Sequence, residues 1–250
     1  MKNVLIVGYG FVGKATELLL TYYTSFFRVT KYDPALKLLA EVKNYDYIFL
    51  CVPTNQTIDG TLDTSILSVA YNQWKDYGNI VIRSTIGPDQ VKDFPDAIMM
   101  PEFLREKHWE DDVKDFLVPI IVSDNTLGNI LRDNLKDKFV DIVEAKEAMM
   151  FKLARNSALA MRVALANEFR EICEHLDINY DTLSQLLESD FSVGGSHWKS
   201  PGPDGNIGFG GKCLPKDLTH MSSLCYNECN IMNEALVMNL IRRMKYNEFN

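Results

Sequence analysis

Residues 3–13 constrain the fold of this chain more than any other stretch. An apolar, strand-like run, Asn3–Val7, leads directly into Gly8-Tyr9-Gly10-Phe11-Val12-Gly13, which opens a helical pattern. Glycines at this spacing permit a tight turn, close approach of a diphosphate and close helix packing. The helix N-terminus offers unpaired N–H groups to phosphate oxygens. Alone the motif is weak, but Asp33 ends the second candidate strand, twenty residues beyond Gly13. A carboxylate there can bind both ribose hydroxyls and repels a 2′-phosphate. The expectation is NAD, held by Gly8, Tyr9, Gly10, Phe11, Val12, Gly13 and Asp33.

The first 125 residues keep this strand–helix rhythm. Candidate strands are Asn3–Val7, Arg28–Tyr32, Tyr47–Val52, Ile80–Arg83, Ala97–Met100 and Val118–Val122, with helical segments at Lys14–Tyr22, Leu62–Lys75 and Asn125–Lys136. Several strands are continuous apolar runs, as expected when both faces of a parallel sheet are covered. After about Val143 the pattern changes. Lys146–Leu176 reads as one long helix without glycine or proline, and Asp181–Glu188 as a short one capped by Asp181. Helices resume at Pro215–Cys225 and Ile231–Tyr246. The predicted fold class is α/β, a doubly wound Rossmann domain over residues 1–145 followed by an all-α domain over 146–250.

Composition excludes more than it specifies. A net charge of −8 argues against nucleic acid as the main partner, and no apolar run reaches membrane-spanning length. Met1-Lys2-Asn3 is followed at once by the first strand, which leaves no room for a signal peptide and makes the cytoplasm the expected location. The cysteines (Cys51, Cys173, Cys213, Cys225, Cys229) are odd in number and scattered, and the four histidines are dispersed. Neither a zinc site nor a disulfide framework is expected. Cys51 reads as a buried strand residue. Cys225 and Cys229 read as two small buried side chains on one helix face.

Cys213 is different. Phe191–Cys213 is a loop holding Gly194, Gly195, Gly202, Gly205, Gly208, Gly210 and Gly211, half of the chain's 14 glycines, and it runs into Gly208-Phe209-Gly210-Gly211-Lys212-Cys213-Leu214-Pro215-Lys216-Asp217. Glycines let backbone approach a ligand, and cations favour a thiolate. A reactive thiol beside a hydride acceptor can oxidise an aldehyde through a thioester. Other candidates stay open on spacing alone. Glu102 and Glu106, four apart, would share a helical face and handle protons or water, or simply start a solvated acidic helix. Lys152 and Asn156 also share a face, and would stabilise an oxyanion or lie on a surface. Val52-Pro53-Thr54 and Thr85 lie at the carboxyl ends of strands, where such sheets bind ligands. There the threonine hydroxyls read equally well as loop caps.

Gly-Tyr-Gly-Phe-Val-Gly, Pro-Glu-Phe-Leu-Arg-Glu, Lys-x-x-x-Asn and Gly-Phe-Gly-Gly-Lys-Cys-Leu-Pro-Lys-Asp occur in that order. Together they closely resemble the UDP-glucose/GDP-mannose dehydrogenase family, the nucleotide-sugar 6-dehydrogenases, over nearly the whole chain. The resemblance implies oxidation of a sugar C6 alcohol to the carboxylate with two NAD. Cys213 would attack the aldehyde, Lys152 aided by Asn156 would steady oxyanions, and Asp217 would position water or take a proton. Glu102, Glu106 and Thr85 would assist thioester hydrolysis. Val52, Pro53, Thr54, Thr85, Glu106 and Lys216 would line the cofactor. Glu102, Phe103, Leu104, Lys152 and Asn156, with Gly202, Pro203, Asp204, Gly205, Asn206 and Gly210, would meet the sugar nucleotide. It also implies a homodimer through the long helix; no metal is expected, from the scattered cysteines and histidines. Family members carry a further domain after the central helices, so a chain ending at Asn250 is expected to be a short form lacking it. A two-electron β-hydroxyacid dehydrogenase and a NAD-binding module without turnover are the competing expectations.

Overall fold

Val4, Leu5, Ile6 and Val7 are all buried, which requires cover on both faces of their strand. The computed structural model, which describes residues 1–22, 24–115, 118–135, 139–225 and 230–247, supplies that cover. Strands β1 (Lys2–Val7), β2 (Phe27–Tyr32), β3 (Tyr47–Leu50), β4 (Asn79–Ile82) and β5 (Ile98–Met99) form a parallel sheet in the order β2-β1-β3-β4-β5. Val4 and Ile6 pack on one face with Ala15, Leu19 and Leu20 of α1 (Phe11–Thr21). Leu5 and Val7 pack on the other with Leu67, Ala70 and Trp74 of α2 (Ser65–Trp74). Helices on both faces make the sheet doubly wound. Because β2 and β3 flank β1, the strand order reverses at β1, and the crevice opens at its carboxyl end, where the glycine motif begins.

Two compact units divide the chain: Met1–Asn55 with Leu62–Lys152, and Gln56–Thr61 with Leu153–Asn250. The first also contains α3 (Trp109–Lys114), β6 (Ile120–Val122), α4 (Asn125–Asn134) and β7 (Val140–Ile142). The second is helical. It takes most of α5 (Ala145–His175), followed by α6 (Tyr180–Ser189), α7 (Leu214–Ser223) and α8 (Ile231–Asn247). Ala160, Val163, Phe209, Leu218 and Ala235 form one core there, and Ala166, Cys173, Tyr180 and Trp198 another. No described helix is long and apolar enough to cross a membrane.

Several sequence expectations need correction. The sixth strand does not extend the main sheet; it pairs in parallel with β7, whose Val-Asp-Ile run is too short to stand out from sequence. Helix α2 begins at Ser65 rather than Leu62, because the Asp63 carboxylate accepts the Ser65 N–H (2.9 Å) and holds a turn before it. Helix α6 is capped by Asn179, whose side-chain oxygen accepts the N–H groups of Asp181 (2.9 Å) and Thr182 (3.3 Å), so Asp181 sits inside the first turn. Helix α7 stops at Ser223, which leaves Cys225 outside it and exposed rather than buried; Cys229 and Lys136 lie outside the described residues.

Candidate functional site

The crevice at the end of β1 is shaped by glycines that admit no side chain. A Cβ on Gly13 would fall 2.2 Å from the Gly8 carbonyl oxygen, and one on Gly8 2.8 Å from that of Cys51. Gly8 also has φ +85°. At Gly10 a Cβ would meet nothing within 4 Å, so open space lies over the start of α1. No side chain caps that helix and no acid occupies its first turn, which leaves its amide groups to an anion. Phe11 and Val12 form the first helical residues. Asp33, at the tip of β2, accepts the Tyr9 N–H (2.8 Å) on one carboxylate oxygen and the Ala35 and Leu36 N–H groups (3.1 and 3.4 Å) on the other. The acid thus fixes the glycine turn as well as bringing negative charge to it. Lys31 is paired with Glu17 (2.7 Å). An uncapped helix start, a cradle without side chains and an acid at the ribose position fit a dinucleotide without a 2′-phosphate.

Hydroxyls tie the strand ends beside this crevice. Thr54 donates to the Thr85 carbonyl (2.6 Å), and Ser84 to that of Val52 (2.6 Å). Val52 is half-buried and Pro53 exposed. Cys51 is buried, and burial pushes its thiol up to about 11 despite the opposing effects of Arg83 and Thr16. That thiol stays protonated at neutral pH, as a strand residue's should.

Glu102 and Lys152 form a buried ion pair in the first unit. Lys152 Nζ lies 2.9 Å from Glu102 Oε1, and the two side chains are 2% and 6% exposed. The other carboxylate oxygen accepts the Leu104 N–H (2.7 Å), and the ammonium sits 5.6 Å from the Phe103 ring centroid. Burial pushes the Glu102 carboxyl up, but Lys152, the Leu104 N–H and Arg83 outweigh it and hold the group below its ordinary value. Arg83, itself buried, donates to the Met100 carbonyl (3.1 Å) at the end of β5. The surface reading of Lys152 therefore falls. The shared helical face of Glu102 and Glu106 falls too: residues 102–105 are not helical, Glu102 is buried, and Glu106 is exposed in the following turn. Arg105 and the buried Asp112 close that loop, with the carboxylate accepting the Arg105 N–H and Nε (2.7 and 2.9 Å).

In the second unit, Cys213 is the residue that caps α7, half-buried, with Pro215 in the first turn. Asp217, one turn on and fully buried, accepts from Asn156 Nδ2 (2.6 Å) and pairs with Lys216 Nζ (3.1 Å). Asn156 and Lys216 thus converge on Asp217. Residues 202–206 form a closed turn: the Gly202 N–H donates to the Asn206 carbonyl (2.9 Å), the Gly205 N–H to that of Gly202 (2.9 Å), and the Asp204 carboxylate accepts the Asn206 N–H (3.1 Å). Pro203 lies in the same turn, exposed. The loop before it is anchored by Trp198, which is buried, stacked on Phe169 at 6.2 Å and covered by Arg162 at 5.4 Å. The helix expected from Pro215 begins at Leu214, which puts the thiol at its head; the pinning of the loop by Trp198 has no local signal in the sequence.

A family model described as UDP-glucose/GDP-mannose dehydrogenase family, central domain, matches residues 146–241. A UDP-glucose 6-dehydrogenase of Rickettsia felis is 30% identical over 226 residues, covering 80% of this chain and 48% of that protein. The chain spans about half the length of the curated relatives it matches. Among solved structures, a UDP-glucose dehydrogenase from Pyrobaculum islandicum aligns with a TM-score of 0.77 at 19% identity, over 95% of this chain and 67% of that one. A 3-hydroxyisobutyrate dehydrogenase of Mycobacterium tuberculosis aligns with 0.69 at 15% identity, over 96% and 93%. At these identities the two structures speak for the fold alone.

Proposed function

Because the chain belongs to the UDP-glucose/GDP-mannose dehydrogenase family, we propose that it oxidises the C6 alcohol of a UDP-glucose-like nucleotide sugar to the uronate, with NAD as oxidant. In this reading residues 1–145 bind NAD and residues 146–250 form the central, dimerising part with the cysteine loop. The observation that carries it is Cys213 at the head of α7, one turn before a buried Asp217 held by Asn156 and Lys216. The start of a helix suits an anionic nucleophile, and Cys213 stands there.

NAD, held by Gly8–Gly13 and Asp33, would supply the hydride acceptor for oxidation of the alcohol and then of a thiohemiacetal. Between them the Cys213 sulfur adds to the C6 aldehyde carbon, and the carbonyl oxygen becomes an alkoxide. Loss of hydride from that carbon gives the thioester. Water then adds to the thioester carbonyl, the C–S bond breaks, and the thiolate leaves the carboxylate behind. A covalent hold of this kind keeps the aldehyde from escaping while the second oxidant enters. Lys152 is the proposed electrostatic partner of the developing alkoxides. Asp217 would position water or take a proton, with Asn156 orienting it. Glu102, ionised beside Lys152, would accept the proton of the attacking water, and Glu106 and Thr85 would line the same step. Gly8–Gly13 and Asp33 would hold the dinucleotide, beside Val52, Pro53, Thr54 and Lys216. Residues 202–206, Gly210, Phe103 and Leu104 would contact the sugar nucleotide.

The test is a panel of UDP- and GDP-sugars incubated with NAD, following NADH. The expected result is two NADH per sugar, abolished by Cys213→Ala. A second reading, a two-electron β-hydroxyacid dehydrogenase, draws on the fold shared over 93% of the 3-hydroxyisobutyrate dehydrogenase chain. One NADH per substrate, unaffected by Cys213→Ala, would establish it instead. NAD binding without turnover of any sugar would leave a binding module.

A further inference from the structure

The stretch of irregular backbone before Cys213 is gripped by two residues of α8 and one of α5, none of which the motifs single out. Asn239 makes both possible amide bonds to Phe209: its Oδ1 accepts the Phe209 N–H (2.7 Å) and its Nδ2 donates to the Phe209 carbonyl (3.0 Å). Arg243, one turn along, donates Nε to the Phe209 carbonyl (3.0 Å) and Nη2 to that of Gly208 (3.1 Å), and pairs through Nη2 with Asp204 (2.7 Å). From α5, the Asn167 side-chain oxygen accepts the Ser200 hydroxyl (2.6 Å) and the Gly208 N–H (3.4 Å). The side chains fill the space beside the glycines. A Cβ on Gly208 would lie 2.4 Å from Asn239 Oδ1, and one on Gly210 2.3 Å from Arg243 Nη2. Phe209 itself is buried. Helix α8 is fixed to α5 by its neighbour Arg242, which is buried and bonds Glu168 (2.6 Å) and Glu171 (2.8 Å).

Glycine-rich backbone is conformationally permissive, so something must select one conformer if it is to present a nucleophile. We propose that Asn239 and Arg243 are positioning residues that set the Gly208–Gly210 backbone, and with it the approach of Cys213 and Gly210 to substrate. The approach to substrate rests on the proposed function; the grip on the loop does not. Asn239 bonds the N–H and the carbonyl of the buried Phe209, and so holds the peptide groups on either side of it, and Arg243 joins Asp204 to Phe209 through one planar group. Lysine has no such fork and would not replace it. A Cβ at Gly210 would have to displace the guanidinium, and with it the bonds Arg243 makes to Gly208, Phe209 and Asp204.

The test uses the full chain with Asn239→Ala, Arg243→Ala, Arg243→Lys and Gly210→Ala. Native-state amide exchange of residues 204–211 should quicken at least tenfold in the Asn239 and Arg243 variants, with α5 and α6 unchanged. Gly210→Ala should quicken loop exchange strongly beside Arg243 and little in the Arg243→Ala background, where the clash is gone. Turnover of the sugar nucleotide should fall at least tenfold in Arg243→Ala, stay low in Arg243→Lys, and recover in part with added guanidinium ion, which a merely destabilised chain would not do. Unchanged loop exchange, additive effects of Gly210→Ala and Arg243→Ala, or full activity of Arg243→Lys would each overturn the proposal. The exchange and additivity measurements need no substrate. A chain that oxidises no nucleotide sugar would therefore sink the proposed function while leaving these two readouts to decide the grip.

Discussion

Replacing Lys152 by methionine tests the first unit's ion pair in the most direct way. The pair is almost wholly buried at 2.9 Å, and its carboxylate is also supported by the Leu104 N–H and the charge of Arg83. Removing one partner of such a pair costs about 3–5 kcal/mol, because the remaining charge is left in a poor solvent. For a chain of this size each kcal/mol lowers the melting midpoint by about 2–4 °C, so a drop of roughly 6–20 °C is expected at pH 7. The pH dependence carries the sign. Burial raises the Glu102 carboxyl, and Lys152, Leu104 and Arg83 bring it below its ordinary value. Its folded pKa therefore lies below its unfolded one of about 4.3, and the wild-type chain gains this stability above that pH and loses it as the pH falls through the folded value. In Lys152→Met, burial goes largely unopposed, the carboxyl is pushed up, and acid relieves the penalty. Melting curves by circular dichroism at pH 7 and near pH 4 should show the gap between the two proteins closing in acid. The double variant Glu102→Leu/Lys152→Met should recover most of the lost stability, since a well-packed apolar pair often matches a buried salt bridge, while remaining inactive. A loss under about 1 kcal/mol at pH 7, or a gap that does not narrow in acid, would refute the description of this pair.

Gly13→Ala should destabilise the first unit by about 2–4 kcal/mol through collision with the Gly8 carbonyl, seen in urea unfolding. Gly10→Ala, facing open space, should leave stability within about 0.5 kcal/mol yet weaken NAD binding by calorimetry. Asn179→Ala should cost about 1 kcal/mol as a lost cap, and Asp181→Ala clearly less. Light scattering should give a dimer, in keeping with exposed Leu165 and Ile172 along α5.

Local signals that repeat along the chain were legible. The β1 run, the glycine motif and α5 were readable because apolar continuity, glycine spacing and the absence of breakers are properties of neighbouring residues. Helix α5, expected at Lys146–Leu176, is found at Ala145–His175. What sequence could not reach depends on partners distant along the chain. Strand β7 exists only because β6 pairs with it. Lys152 looked like a surface lysine from its own helix, and becomes a buried cation only through Glu102, fifty residues away. Equal spacing likewise misled at Glu102 and Glu106, because i,i+4 neighbours meet only if the segment is helical, and this one is not.

Seven glycines in one loop take their meaning from the same distant partners. Read alone, such a composition suggests a floppy segment, and floppiness would be a poor setting for a nucleophile. Here the glycines work in opposite ways along the loop. Gly205, Gly208 and Gly211 take positive φ angles that other residues resist, so they allow the path to turn. Gly208 and Gly210 also give up side-chain space that Asn239 and Arg243 fill, so the absence of Cβ atoms creates packing instead of freedom. The contacts that hold this backbone come from outside the motif, from Asn167 of α5 and Asn239 and Arg243 of α8. A glycine-rich sequence fixes how closely other groups can approach; which groups those are, and hence whether the loop is ordered, is decided by α5 and α8.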